Sequence, residues 1–231
     1  MTDYKPLNNL AYEYLRSMIY QCEFEFRKIY SETKLAAQIE VSRTPMRDAL
    51  NRLAQERYID ILPNRGFTLH IPTREDAAAA YHLRLMTESY CAEIVRRDYP
   101  KNGSRETLEK MEEALRQQQR LLENDEAYSI GDFWLDDLSF HKALLEHLNI
   151  SALIQHYESI MYIFMPHHLI RDQQKHGKDE KVLERHRSTI TEHAEIIRAL
   201  KTGETADVKN AVQAHIETSM TALYQKISAE A

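Results

Sequence analysis

Within the run FWLDDLSFHKALLEHL, Asp137 and His141 stand four residues apart. In an α-helix that spacing turns the side chain by about 400°, so the two stack on one face. The face continues through Leu144 and Leu148, which makes it the inward one. Two further histidines lie on inward stripes: His193 with Ile190, Ile197 and Leu200, and His215 with Val208, Val212 and Ile216. Three imidazoles and a carboxylate from three helices are the ligand set of zinc, nickel or another divalent ion, and a bundle core can hold them on facing helices. The alternative is a set of hydrogen-bonded core histidines, the commoner fate of a lone inward histidine, and the chain has eleven histidines to place. An Asp/His₃ centre with an open position could also activate water. No additional carboxylate or histidine is placed as its general base, so a metal-dependent hydrolase has less support than a binding site.

The elements that must position these residues are helices. Five glycines and six prolines in 231 residues, 43% of them hydrophobic and 29% charged, describe a globular, mostly α chain with short connections. Met1 to Lys5 open into polar sequence with no signal core, and no stretch approaches the roughly 18 to 20 unbroken apolar residues of a membrane span. The most apolar run, ISALIQHYESIMYIFM, is broken by Gln155, His156 and Glu158. Cys22 and Cys91 have no metal spacing and read as buried free thiols in a reducing compartment. A cytoplasmic protein without a membrane partner is expected.

Apolar residues at helical spacing predict a first helix over 8–20. Ser31 can cap a second helix, TKLAAQI, and Ser42 a third, RTPMRDALNRLAQER, with Met46, Ala49, Leu50 and Leu53 facing in. The period then changes to two in YIDIL and FTLHI, separated by the hairpin signal PNRG. Three helices and a hairpin are the order of a winged helix-turn-helix, placed at 1–72. Thr73 and Asp76 form a capping-box pattern that opens a helix to about Asp98. Further helices are expected at about 104–124, 126–148, 150–171, 181–201 and 205–228. Residues 73–231 are therefore expected to form an all-helical bundle.

Charge separates the two parts mildly. Residues 1–72 hold 10 Lys and Arg against 9 Asp and Glu, within a chain whose formal net charge is −6. Only a local basic face can meet nucleic acid. The third helix supplies one, since Ser42, Arg43, Thr44 and Arg47 open it, and Arg43 and Arg47 lie one turn apart on its outer side. The second helix of such a motif enters the major groove N-terminus first, where a guanidinium can grip guanine O6 and N7 or a phosphate. Arg65 beside Gly66 at the hairpin tip could reach the minor groove. The alternative is a solvated arginine face.

The stretch VSRTPMRDALNRLAQERYIDILPNRGFTLHI resembles the DNA-binding domain of the GntR family of bacterial transcription regulators, over about residues 7–72. The resemblance implies operator contacts from Ser42, Arg43, Thr44 and Arg47 on the recognition helix and from Arg65 and Gly66 on the wing. Two departures stand out. EFEFRKIY replaces the family's Pro-Gly turn before the second helix, so a differently shaped connection is expected, and Thr33 with Lys34 stands where a basic residue is usual.

The segments YHLRLMTESYCAEIV, DLSFHKALLEHLN and EHAEIIRALKTGETADVKNAVQAH resemble the FCD effector domain of the FadR-type members. That likeness implies a divalent metal on Asp137, His141, His193 and His215, and a small organic acid held by Arg84 against it. Glu88, four residues after Arg84, offers the alternative of a plain helical ion pair worth a few tenths of a kcal/mol. His147, Leu148 and Asn149 replace a small-residue turn of the family. His167, His168, His176 and His186 read as solvated or rim residues, and Trp134 as core. The expected protein is a homodimeric regulator, a repressor, on double-stranded palindromic operator DNA, controlled by a small carboxylate; control by the metal itself is the alternative.

Overall fold

The computed structural model describes residues 7–21, 23–124, 128–164 and 180–230. Cys22, His167, His168 and His176 lie outside them. The chain forms two compact units, Met1–Pro72 with Tyr162–Ile170, and Thr73–Met161 with Arg171–Ala231.

The N-terminal unit contains α1 (Leu7–Tyr20), α2 (Glu32–Gln38), α3 (Arg43–Gln55) and the strands β1 (Ile59–Leu62) and β2 (Gly66–Leu69). The strands pair antiparallel, with Ile59 opposite Leu69 and Leu62 opposite Gly66. Ala11, Tyr12, Leu15 and Ile19 of α1 close on Met46, Ala49, Leu50 and Leu53 of α3, and Ile59, Phe67 and Leu69 complete the same cluster. Ser31 and Ser42 occupy the expected N-cap positions in extended backbone, but neither side chain makes a capping hydrogen bond.

The EFEFRKIY connection takes its own shape. Phe24 is buried and meets Tyr30 and Phe67 edge-on, with ring centroids 4.6 and 5.6 Å apart. Tyr30 also pairs with Phe67 through the backbone, its N–H donating to Phe67 O at 2.8 Å and its carbonyl accepting from Phe67 N at 3.1 Å. One residue of the connection thus acts as a third edge of the hairpin. Gly66 sits where the two meet, at φ +119°, and a Cβ there would stand 2.0 Å from the Tyr30 carbonyl oxygen. The glycine beside the wing tip therefore has a packing reason of its own.

In the C-terminal unit α4 (Arg74–Asp98) opens with the expected capping box: Thr73 Oγ1 accepts from Asp76 N at 3.2 Å, and Asp76 Oδ2 accepts from Thr73 N at 2.8 Å. Then follow α5 (Ser104–Glu123), α6 (Ile130–Glu146), α7 (Ser151–Met161), α8 (Glu180–Thr202) and α9 (Thr205–Glu230). Helix α6 starts later than the pattern predicts because Ser129 caps it, accepting from Asp132 N at 3.0 Å. The 150–171 expectation holds as α-helix only in its first part, and residues 165–171 lie outside the described ones. The α-helix stops at Met161, and Tyr162–Phe164 form a 3₁₀ turn that belongs to the N-terminal unit. Between α6 and α7 the chain turns at Asn149, which adopts φ +52° and donates its N–H to Glu146 O at 2.9 Å. Helix α9 packs along α4, α6 lies on α5, and α8 touches α4, α5 and α9, so the stripes carrying His141, His193 and His215 converge.

Gly66→Ala is expected to destabilise the protein by about 2 kcal/mol or more, through left-handed strain and the clash with Tyr30. Gly103 is the control: its φ is +77° but an added Cβ meets nothing within 4 Å. Denaturant unfolding should therefore place Gly103→Ala clearly above Gly66→Ala in midpoint.

Candidate functional site

His141 on α6, His193 on α8 and His215 on α9 are all buried, and Asp137 lies partly buried one turn before His141. The Nε2 atoms of His141 and His215 are 3.1 Å apart, and those of His141 and His193 are 3.3 Å apart. Asp137 Oδ1 stands 3.4 Å from His193 Nε2, and its Oδ2 3.9 Å from His141 Nε2. One ligand atom from each residue fits within a span of 4.8 Å.

The outer ring nitrogens decide what faces the centre. Glu192 Oε2 lies 2.7 Å from His215 Nδ1, and a carboxylate can only accept. The His215 proton is therefore on Nδ1, and its Nε2 lone pair points inward. Arg84 Nη2 lies 2.9 Å from His141 Nε2 and can only donate, so that nitrogen is also an acceptor. His141 Nδ1 lies 2.8 Å from Glu88 Oε2. Gln118 Oε1 faces His193 Nδ1 at 2.9 Å, which gives His193 the same tautomer. Burial, then the neighbouring His215 and His141, push the His193 pKa well down, and burial with His141 lowers His215 to about 4 against the pull of Glu192. Both rings are neutral at neutral pH.

The Nε2 lone pair of His141 stands 3.1 Å from that of His215 and 3.3 Å from that of His193, a mutual repulsion that the Arg84 guanidinium at 2.9 Å relieves in part and that a cation among them would relieve further. A divalent ion with nitrogen ligands at about 2.0–2.1 Å spaces neighbouring ligands by about 2.8 to 3.4 Å, from octahedral to tetrahedral angles. The donor set and its spacing fit such an ion.

Arg84 and Glu88 of α4 adjoin the cluster, both almost fully buried. Arg84 Nε donates to Glu88 Oε1 at 2.6 Å, and Tyr157 of α7 donates its hydroxyl to the same oxygen at 2.7 Å. Burial opposes both charges. Arg84 nonetheless holds the Glu88 carboxyl well below the usual carboxylate range, and Glu88 in turn raises Arg84. The helical ion pair weighed from sequence is therefore formed, but out of water, where the few-tenths value of an exposed pair does not apply. Arg84 Nη2 also reaches His215 Nε2 at 3.4 Å, so the guanidinium borders the histidine cluster while its Nε is held by Glu88.

On the N-terminal unit Ser42, Arg43, Thr44, Arg47 and Arg65 are all exposed. Arg47, Asn51 and Arg65 line one groove with Asn64 and Gly66, between α3 and the hairpin. Arg47 is loosely balanced by Glu32, its Nε 3.9 Å from Glu32 Oε1.

The model of the FCD domain matches residues 79–218, and that of bacterial regulatory proteins of the gntR family matches residues 7–69. The chain belongs to the GntR family. This GntR-family chain is 27% identical over 177 residues to the gluconate operon transcriptional repressor of Bacillus licheniformis, covering 74% of this chain and 69% of that one. It is 41% identical over 58 residues to the Nta operon transcriptional regulator of Aminobacter aminovorans, a match spanning 25% of this chain and 28% of the relative. Among solved structures, a GntR transcriptional regulator from Rhodococcus sp. RHA1 superposes with a TM-score of 0.71 at 23% identity, covering 94% of this chain and 97% of that one. E. coli McbR/YncC gives 0.69 at 17% identity, covering 96% and 99%. The two structures carry the fold. Family and relatives are transcription regulators, not enzymes, which removes the hydrolase alternative.

Several partners of the cluster escaped the sequence. Gln118 sits in a QQQ run with no distinguishing pattern, and Tyr157 reads as one more apolar helix position. Glu192 directly precedes His193, yet it serves His215 on the next helix, a pairing periodicity cannot see. His186, read from sequence as a solvated or rim residue, is half-buried, stacked on Phe133 with centroids 3.7 Å apart and with its Nδ1 3.1 Å from Tyr128 Oη. Trp134 and Cys91 are buried, and burial raises the Cys91 thiol to about 12.

Glu88→Ala leaves Arg84 charged and buried, so it is expected to cost about 3–5 kcal/mol, most of it regained when Arg84→Met is combined with Glu88→Leu. Thermal unfolding of the single and double variants checks this.

Proposed function

We propose that this GntR-family chain is a cytoplasmic repressor that binds a palindromic operator as a homodimer and is controlled by a small carboxylate at a divalent metal, zinc or nickel. Ser42, Arg43, Thr44 and Arg47 would read the operator from α3, with Arg65 and Gly66 on the wing. Asp137, His141, His193 and His215 would hold the ion, and Arg84 the carboxylate. The observation that carries the reading is the convergence of three imidazole lone pairs beside a buried arginine. That the gluconate operon relatives of Bacillus licheniformis and Bacillus subtilis are transcriptional repressors supports repression.

Local charge supports a monoanion as the signal. Around the cluster the guanidiniums of Arg84 and Arg185 face the carboxylates of Asp137, Glu88 and Glu192. One negative charge is left over. A dication would turn that balance into one positive charge, which a single carboxylate neutralises inside a poorly solvated core. An ion held by Asp137, His141, His193 and His215 would supply positive charge there. Arg84 orients the acid by donating N–H bonds, and Glu88 and Tyr157 hold the guanidinium in place. A ligand that binds one arrangement of the dimer better than another shifts operator affinity by its differential affinity, typically about 1–3 kcal/mol.

Two measurements test this. Arg47→Ala should lose about 1–3 kcal/mol of discrimination against operators mutated at each affected base contact. Unchanged discrimination would make Arg47 a phosphate contact. Titration of operator DNA with metal-loaded protein should respond to an organic acid in wild type and lose that response in Arg84→Met. A response to metal alone would make the ion the signal, and no response to any carboxylate would end the effector reading.

A further inference from the structure

The three imidazoles differ in what stands behind them. His215 is backed by Glu192, whose carboxylate is also gripped by Arg185, Nη1 to Oε1 at 2.7 Å and Nη2 to Oε2 at 3.1 Å. A carboxylate so held can only accept, so His215 has one tautomer and its Nε2 always offers a lone pair.

His193 is backed by an amide. Gln118 is fully buried, its Oε1 faces His193 Nδ1, and its Nε2 has no hydrogen-bond partner among the described residues. An amide can present either an acceptor or a donor to the same nitrogen. Turning Gln118 by 180° sacrifices no bond at Nε2 and aims an N–H at His193 Nδ1. That nitrogen must then be unprotonated, and the ring, still neutral, carries its proton on Nε2. There the proton finds Asp137 Oδ1 at 3.4 Å and His141 Nε2 at 3.3 Å. The ring itself need not move: it lies flat on Phe140, with centroids 3.8 Å apart and planes 6° from parallel. In this second form Nε2 cannot ligate.

We propose that Gln118 and Glu192 are positioning residues that make the ligands unequal: His215 is fixed as a donor, and His193 is switchable through the Gln118 amide. The inference rests on the reading of Asp137, His141, His193 and His215 as metal ligands. It implies a site built to hold its ion less tightly than a fully carboxylate-backed one would, with His193 as the first ligand to let go.

The test uses full-length protein carrying ¹⁵N-labelled histidine, stripped of metal, and zinc affinity from competition with a chelating indicator. Wild-type His193 should report both tautomers and His215 only the Nδ1–H form. Gln118→Glu should leave His193 as Nδ1–H alone and tighten zinc about tenfold or more, whereas Glu192→Gln should give His215 a second tautomer and weaken zinc about 10- to 100-fold. A single Nδ1–H form of His193 in wild type overturns the proposal. So does tighter zinc binding in Gln118→Glu with no tautomer change, which would be an effect of charge alone. Absence of zinc uptake by wild type would overturn the metal reading itself, whereas uptake with unmoved tautomers defeats this inference only.

Discussion

The buried carboxylate of Glu88 is the interaction on which the C-terminal unit depends. It stands on α4, receives Arg84 from its own helix and Tyr157 from α7, and lies beside His141 of α6. Burying that charge alone would be costly, and so would burying Arg84 alone. Together they bring a fixed positive group to the edge of a histidine cluster, in a core where water cannot dilute its field. The helix packing follows from the same arrangement: α4 contacts α6, α7, α8 and α9, which between them supply the three imidazoles, Asp137 and the tyrosine.

Much of this was legible in the residues. The i, i+4 spacing of Asp137 and His141 and the apolar stripes around His193 and His215 located the cluster, because a helix fixes which side chains share a face. The capping box at Thr73 and the hairpin at PNRG were readable for the same reason, as local geometry dictated by local residues. What was not readable depends on contacts between distant segments. Glu192 serves the imidazole of the following helix, Gln118 arrives from 75 residues away, and the depth of the Arg84–Glu88 pair emerges only once α9 covers α4. Helix ends were misjudged where a cap or a change of helical type intervened, at Ser129 and at Tyr162.

The two units solve different problems with the same few residue types. In the N-terminal unit the arginines stay in water at a helix start and a hairpin tip, where they remain available to another polyanion. In the C-terminal unit Arg84 is sealed in and matched by Glu88, so its charge is held in one place at the edge of the histidine cluster. The same guanidinium chemistry thus serves reach in one place and fixed direction in the other.

The meeting of Gly66 with the carbonyl of Tyr30 carries a lesson for anyone exchanging parts between such proteins. The height of the hairpin tip is measured from the α1–α2 connection, through Phe24, Tyr30 and Phe67, and not from the recognition helix alone. A wing grafted without residues 23–30 would lose the surface it rests on, so the heritable module of this domain is the hairpin together with that aromatic connection.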